Sequence, residues 1–173
     1  MTADARSALL TGVGRGLAEE IGRSGRVTGV GIDAVEIERF ARVLARRTGM
    51  SDRLFTPGEL AYARAASDPV PRLSTRFAAK EAAMKALGVG LGAFPFHDVE
   101  VVRDGLEAPR LVLHGSALAR ARRGGVTRWH LSLTHTGQMA LAVVVAEGTP
   151  ALPSAAPGDP EGDAVLTPHP AKP

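Results

Sequence analysis

"TRFAAKEAAMKALG", Thr75 to Gly88, reads as most of a long helix, and the rest of the chain has to be arranged around it. Ala78, Ala79, Ala82, Ala83 and Ala86 lie on nearly all sides of such a helix, which suits close approach by other backbones. Lys80, Glu81 and Lys85 then stand among side chains meant for close packing. Glu81 and Lys85, one turn apart, project from the same face. An exposed ion pair contributing about 0.3–0.5 kcal/mol would account for them. The other reading is a partly buried seam, where a carboxylate needs a cation. The spacing predicts a helix over 73–87, stopped by Gly88 and Gly90.

Upstream, "VTGVGIDAVEI" alternates and is β-branched, which predicts a strand ending near Asp33. Over 36–47, Ile37, Phe40, Ala41 and Leu44 share one helical face while Arg39, Arg42 and Arg46 lie away from it. "TPGEL" has an N-cap, a first-turn proline and a capping-box acid, starting a helix that runs to Ala66. Asp68 to Pro71 reads as a break. Downstream, "VEVVRDG" and "PRLVLHG" read as a hairpin and "SALARARR" as a short basic helix. "RWHLSLTHT" and "MALAVVVAE" read as two strands about the Gly137 turn, with Trp129, Leu131 and Leu133 on one face. The fold class is α+β, with a largely antiparallel sheet packed on a long helix.

At 173 residues the chain fits one domain, since domains run to about 100–200 residues. No stretch approaches the roughly 20 apolar residues of a membrane span, and no signal-peptide pattern opens the chain, so a cytoplasmic location and no membrane partner are expected. With no cysteine, disulfides, thiolate nucleophiles and zinc–thiolate sites are excluded. Net charge is only +3, yet Arg39, Arg42, Arg46, Arg47 and Arg53 cluster, suggesting an acidic partner. Aromatics at 4% give nucleic acid no stacking platform, so none is expected as a partner. Residues 1–26, whose "GVGRG" lacks the flanking elements of a phosphate loop, read as a flexible leader. The domain is expected over 27–147, and 148–173, rich in Pro, Ala and Gly, reads as a disordered tail.

Asp33 at a strand end is read either as the N-cap of the next helix or as a carboxylate that converges with Glu81 on a hard divalent cation. In "LSLTHT", Ser132, Thr134, His135 and Thr136 gather at a strand end and could bind phosphate oxygens or be structural. Each arginine of the 36–47 helix is read either as part of a docking face or as a solvated side chain.

Together, "GVGIDAVEIERF", "RFAAKEAAMKALG" and "LSLTHTGQMALAVVVAE", in this order, resemble the holo-acyl-carrier-protein synthase family of 4'-phosphopantetheinyl transferases. The similarity runs from about Val27 to Ala146. It implies transfer of the phosphopantetheine arm of coenzyme A to a serine of an apo acyl carrier protein, in fatty-acid or polyketide biosynthesis, with Mg2+ as cofactor. By that resemblance Asp33 and Glu81 hold the metal and Lys85 contacts the coenzyme A phosphates, helped by Arg76, Thr134 and His135. Gly88 and Gly90 let the backbone approach the nucleotide, while Arg39, Arg42 and Arg46 dock the carrier. A homotrimer with interfacial active sites is also implied. The serine proton goes either to Glu81 or to water on the metal.

Thr134 stands where the family often has serine, Met139 where an aromatic is common, and Glu107–Ala108 where a Gly-Lys turn usually precedes the proline. Two other readings use the same residues. One is a different magnesium-dependent enzyme acting on a nucleotide diphosphate. The other is a non-catalytic module that binds carrier proteins or nucleic acid through the arginine helix.

Overall fold

Arg26–Glu36 forms strand β1, whose alternation of buried Gly31, Asp33 and Val35 with exposed Val30, Ile32, Ala34 and Glu36 sets one face inward. The structure, a computed structural model, describes residues 26–149. The leader and tail expectations fall almost wholly outside the described residues. β1 continues three residues past Asp33, because Val35 keeps the period-2 pattern going and Asp33 is itself an inward position. The helix α1, Ile37–Arg46, starts only after Glu36, whose side chain makes no cap.

Two short helices follow, α2 (Met50–Leu54) and α3 (Pro57–Arg64). At α3 the capping box is formed in full: Thr56 Oγ1 accepts from Glu59 N at 3.2 Å and Glu59 Oε2 accepts from Thr56 N at 2.9 Å. The long helix α4, Val70–Ala86, starts three residues earlier than the sequence reading places it. Pro71 lies in its first turn, where the missing N–H has no helical partner to lose, so the segment read as a break opens the helix. It ends at Gly88, whose φ of 66° gives a Schellman motif: Val89 N donates to Met84 O at 3.1 Å and Gly88 N to Lys85 O at 3.0 Å.

The strands form two antiparallel sheets. β4 (Val126–His135) and β5 (Met139–Gly148) pair with β1 in the order β1-β5-β4, and β2 (Val99–Val102) pairs with β3 (Arg110–Leu113) as a separate hairpin. A 3-10 turn, Phe96–Asp98, leads into β2, and helix α5, Gly115–Arg123, connects the two sheets.

α4 lies on the inner face of the three-stranded sheet, with Ala78, Ala79, Ala82 and Ala83 fully buried. The contact is backbone to backbone. A Cβ on Gly31 would fall inside the carbonyl of Ala82, and one on Gly29 inside that of Ala86. The alanines of the opening stretch and these glycines therefore set a short, rigid spacing between β1 and α4.

One buried ion pair crosses the core. Lys80 Nζ lies 2.8 Å from Glu59 Oε2, and both side chains are fully buried. Burial pulls the Lys80 ammonium below its ordinary range, and the Glu59 charge opposes that pull.

Candidate active site

The spacing of β1 from α4 fixes what Asp33 and α4 present to each other. Lys85 Nζ donates to Asp33 Oδ1 at 2.8 Å and to the carbonyl of Ile32 at 3.0 Å. The ion pair of Lys85 is thus with Asp33, one strand away, and the exposed Glu81–Lys85 pair considered from spacing is not the arrangement formed. Asp33 is buried inside β1, so it does not cap α1. Glu81 is half-buried beside it. Burial, then the Asp33 charge, pushes the Glu81 carboxyl above its usual range. The hydrogen bond it donates to Asp33 holds the Lys85 ammonium above its own usual range.

Asp33 and Glu81 line the polar end of a cleft of about 670 Å³. Its walls are apolar: Phe40 stacks on Phe77 at 4.8 Å and Phe77 on Phe96 at 5.4 Å, with Met50, Leu54 and Met139 completing the surface. Arg39 also lines this cleft. Arg42 and Arg46 are exposed farther along α1, and Arg42 pairs with Glu38 at 3.2 Å. Gly88 serves the helix stop, and neither it nor Gly90 lines the cleft, where Leu91 does.

Arg76, Thr134 and His135 gather elsewhere. They line a second pocket of about 640 Å³ with Tyr62, Arg72 and Arg103. Arg76 lies five residues before Glu81, about 140° around α4 at about 100° per residue. In the sheet, Asp33 is in register with Ala142 and Ala142 with Leu133, so Thr134 points to the other face. The second pocket is strongly basic. The guanidinium carbons of Arg76 and Arg72 stand 4.0 Å and 4.7 Å from the Tyr62 ring centre, and Arg103 Nη1 donates to the Tyr62 hydroxyl at 3.3 Å. Arg76 is buried, and its Nε has no protein partner. Such a pocket is built to take an anion. Tyr62, Arg72 and Arg103 escaped the sequence reading. The four-residue step from Arg72 to Arg76 was the signal available for one of them.

Comparison with known proteins separates the readings of this geometry. The family model of the 4'-phosphopantetheinyl transferase superfamily matches residues 29–144. The chain belongs to this superfamily. Among superfamily members, the holo-[acyl-carrier-protein] synthase of Frankia alni is 48% identical over 121 residues, 70% of this chain and 98% of that one. That of Streptomyces avermitilis is 46% identical over 122 residues, again 70% and 98%. The crystal structure of the synthase from Neisseria meningitidis superposes with a TM-score of 0.63 at 36% identity, covering 70% of this chain and 99% of that one. The synthase from Bacillus anthracis, in complex with CoA (3',5'-ADP), gives 0.59 at 31% identity over 71% and 98%. The α+β class and the antiparallel pairing expected from sequence are those of this superfamily. Among the described residues, no helix is long and apolar enough to cross a membrane.

Proposed function

We propose that the chain transfers the 4'-phosphopantetheine arm of coenzyme A to a serine hydroxyl of an apo acyl carrier protein, releasing adenosine 3',5'-bisphosphate. The observation that carries this reading is the Asp33–Glu81–Lys85 cluster at the polar end of an apolar cleft. It occurs in a chain nearly half identical to whole holo-[acyl-carrier-protein] synthases. The serine oxygen bonds to the phosphorus on the pantetheine side, and the bond from that phosphorus to the bridging oxygen breaks. Charge grows on the phosphoryl oxygens and the leaving group, where a preorganised cation is most effective. Lys85, held by Asp33 yet 53% exposed, is that cation. The serine proton goes to Glu81 or to a water at the same site.

The donor set fits magnesium. Two adjacent carboxylates, one driven towards its neutral form by burial and by the other's charge, call for a positive ion between them. Among the described residues no group of three or more His, Cys, Asp or Glu could hold a metal, so an ion here keeps room for water and phosphate, as magnesium does. Held by Asp33 and Glu81, it would supply counter-charge to the diphosphate. Because the Glu81 carboxyl is raised, binding must expel its proton where that carboxyl is still protonated. Magnesium affinity measured by calorimetry is therefore expected to fall, and proton release to grow, as pH is lowered into the raised Glu81 range, and Glu81→Gln is expected to remove that pH dependence. Wild-type magnesium affinity in Glu81→Gln would remove Glu81 from the ligand set.

Arg39, Arg42 and Arg46 form the face for an acidic carrier, acting mainly on encounter rate. Arg39 connects that face to the cleft. A cytoplasmic location goes with this substrate pair.

The assembly in this reading is a homotrimer with sites between subunits. Two observations support an interfacial site. Asp33, which holds Lys85, and Glu81 line one pocket and the anion-binding Arg76, Thr134 and His135 another, as complementary halves would be. On the sheet face turned away from α4, Val30, Ile32 and Val143 are 55%, 57% and 37% exposed, with Ile32 and Val143 in register. Val143→Glu is expected to turn the trimer into monomer in sedimentation analysis and to abolish turnover. A wild-type protein that sediments as a monomer while active would end the interfacial reading.

The test of the function is the intact mass of an apo carrier protein after incubation with this protein, coenzyme A and magnesium, beside a chelator control. A magnesium-dependent gain of one phosphopantetheine is expected. No gain across several carriers, from folded protein, would overturn it.

A further inference from the structure

Lys80 is a buried charge that the transfer reaction leaves unused. Besides its pairing with Glu59, its ammonium donates to the carbonyl of Phe96 at 2.9 Å and to that of Val99. Glu59 in turn accepts from Val101 N at 3.0 Å through its other oxygen. One ammonium and one carboxylate thereby join α4, the start of α3, the 3-10 turn and β2. Well-packed apolar side chains would fill the same space without the desolvation cost. What they would not supply is direction, because a carbonyl is held in place only by a donor aimed at it.

The segment being aimed is Phe96. Its carbonyl is on Lys80, and its ring is the last of the Phe40–Phe77–Phe96 stack that lines the cleft with Asp33 and Glu81. Lys80 is also the residue next to Glu81, so the anchor of the aromatic wall and the carboxylate sit on adjacent positions of one helix. We propose that Lys80 is a positioning residue that holds this wall at a fixed distance from the carboxylates, and that the pantetheine arm of coenzyme A lies on the wall. The inference rests on the function proposed above. It follows from the cleft's polarity: a diphosphate drawn to Asp33, Glu81 and Lys85 leaves its uncharged arm to the apolar side.

The test compares calorimetric binding of coenzyme A with that of adenosine 3',5'-bisphosphate, which lacks the arm. Lys80→Met alone leaves a buried carboxylate unpaired, so the variant used is Lys80→Met/Glu59→Gln, which keeps an acceptor for the Thr56 cap. Phe96→Ala removes the last ring of the wall with the ion pair intact. Both are expected to bind coenzyme A about 10- to 100-fold more weakly, with the bisphosphate within about twofold of wild type and a matching rise in KM for coenzyme A. Equal losses for the two ligands, or unchanged coenzyme A binding in either variant, would reduce Lys80 to a structural role and overturn the proposal. If the double variant does not fold, Phe96→Ala decides by the same comparison. A wild-type protein that binds neither ligand would overturn the functional reading, and this inference with it.

Discussion

Glu81→Gln is expected to lower kcat by about 10²- to 10⁴-fold, the span associated with losing a positioned acid–base group. The denaturation midpoint should stay the same or rise. Glutamine keeps the size of the side chain and an oxygen towards Asp33, so packing on α4 is preserved. What disappears is the negative charge and the basic site. Burial and the Asp33 carboxylate both work against that charge in the folded protein, so its removal relieves a repulsion. A stable protein without turnover is the combination expected. Steady-state kinetics on an apo carrier, with unfolding curves on the same sample, measures both. Wild-type turnover would take Glu81 out of the chemistry.

Gly31→Ala is expected to act through the opposite route, damaging fold and activity together. A Cβ at Gly31 would enter the carbonyl oxygen of Ala82 and stand 2.8 Å from both Ala82 C and Ala86 N. Every atom met is main chain, so no rotamer change on α4 makes room. Either β1 lifts from α4 or the helix shifts, costing about 3 kcal/mol as an overpacked core does. Asp33 is two residues from Gly31 on β1, and Glu81 and Lys85 flank Ala82 on α4, so the same shift parts the carboxylates. Misplacement of about 1 Å can cost on the order of 10²-fold in rate. Urea midpoints and kcat should fall together. A variant with normal stability and activity would mean that the seam is not under the tension described.

Much of this was legible in the chain. The alternation in "RWHLSLTHT" and "MALAVVVAE", the Thr56–Glu59 box and the alanine helix all follow local periodicity, which sequence displays directly. The convergence of Asp33 and Glu81 could be raised from their chemistry but was favoured, and Lys85 added, only through resemblance, since no spacing rule connects a strand to a helix about 50 residues on. β1 was cut short at Asp33 because a charged residue reads as an end. It continues because Lys85 Nζ donates both to that carboxylate and to the Ile32 carbonyl. Lys80 stood in the first stretch examined without a role, its partner Glu59 being 21 positions away on another helix. The split of Arg76, Thr134 and His135 from the carboxylates was likewise invisible, as it depends on which face of α4 Arg76 occupies and on where the end of β4 lies.

The glycine seam between β1 and α4 also bears on temperature. Side-chain contacts loosen on warming as additional rotamers become populated, but two main chains in contact have no rotamers to populate. The distance between the carboxylates is then held until the strand and helix separate, which is global unfolding for elements so central to the core. The loss of activity on heating should coincide with the melting of the domain, with no warm interval in which the protein is folded but its site has drifted apart.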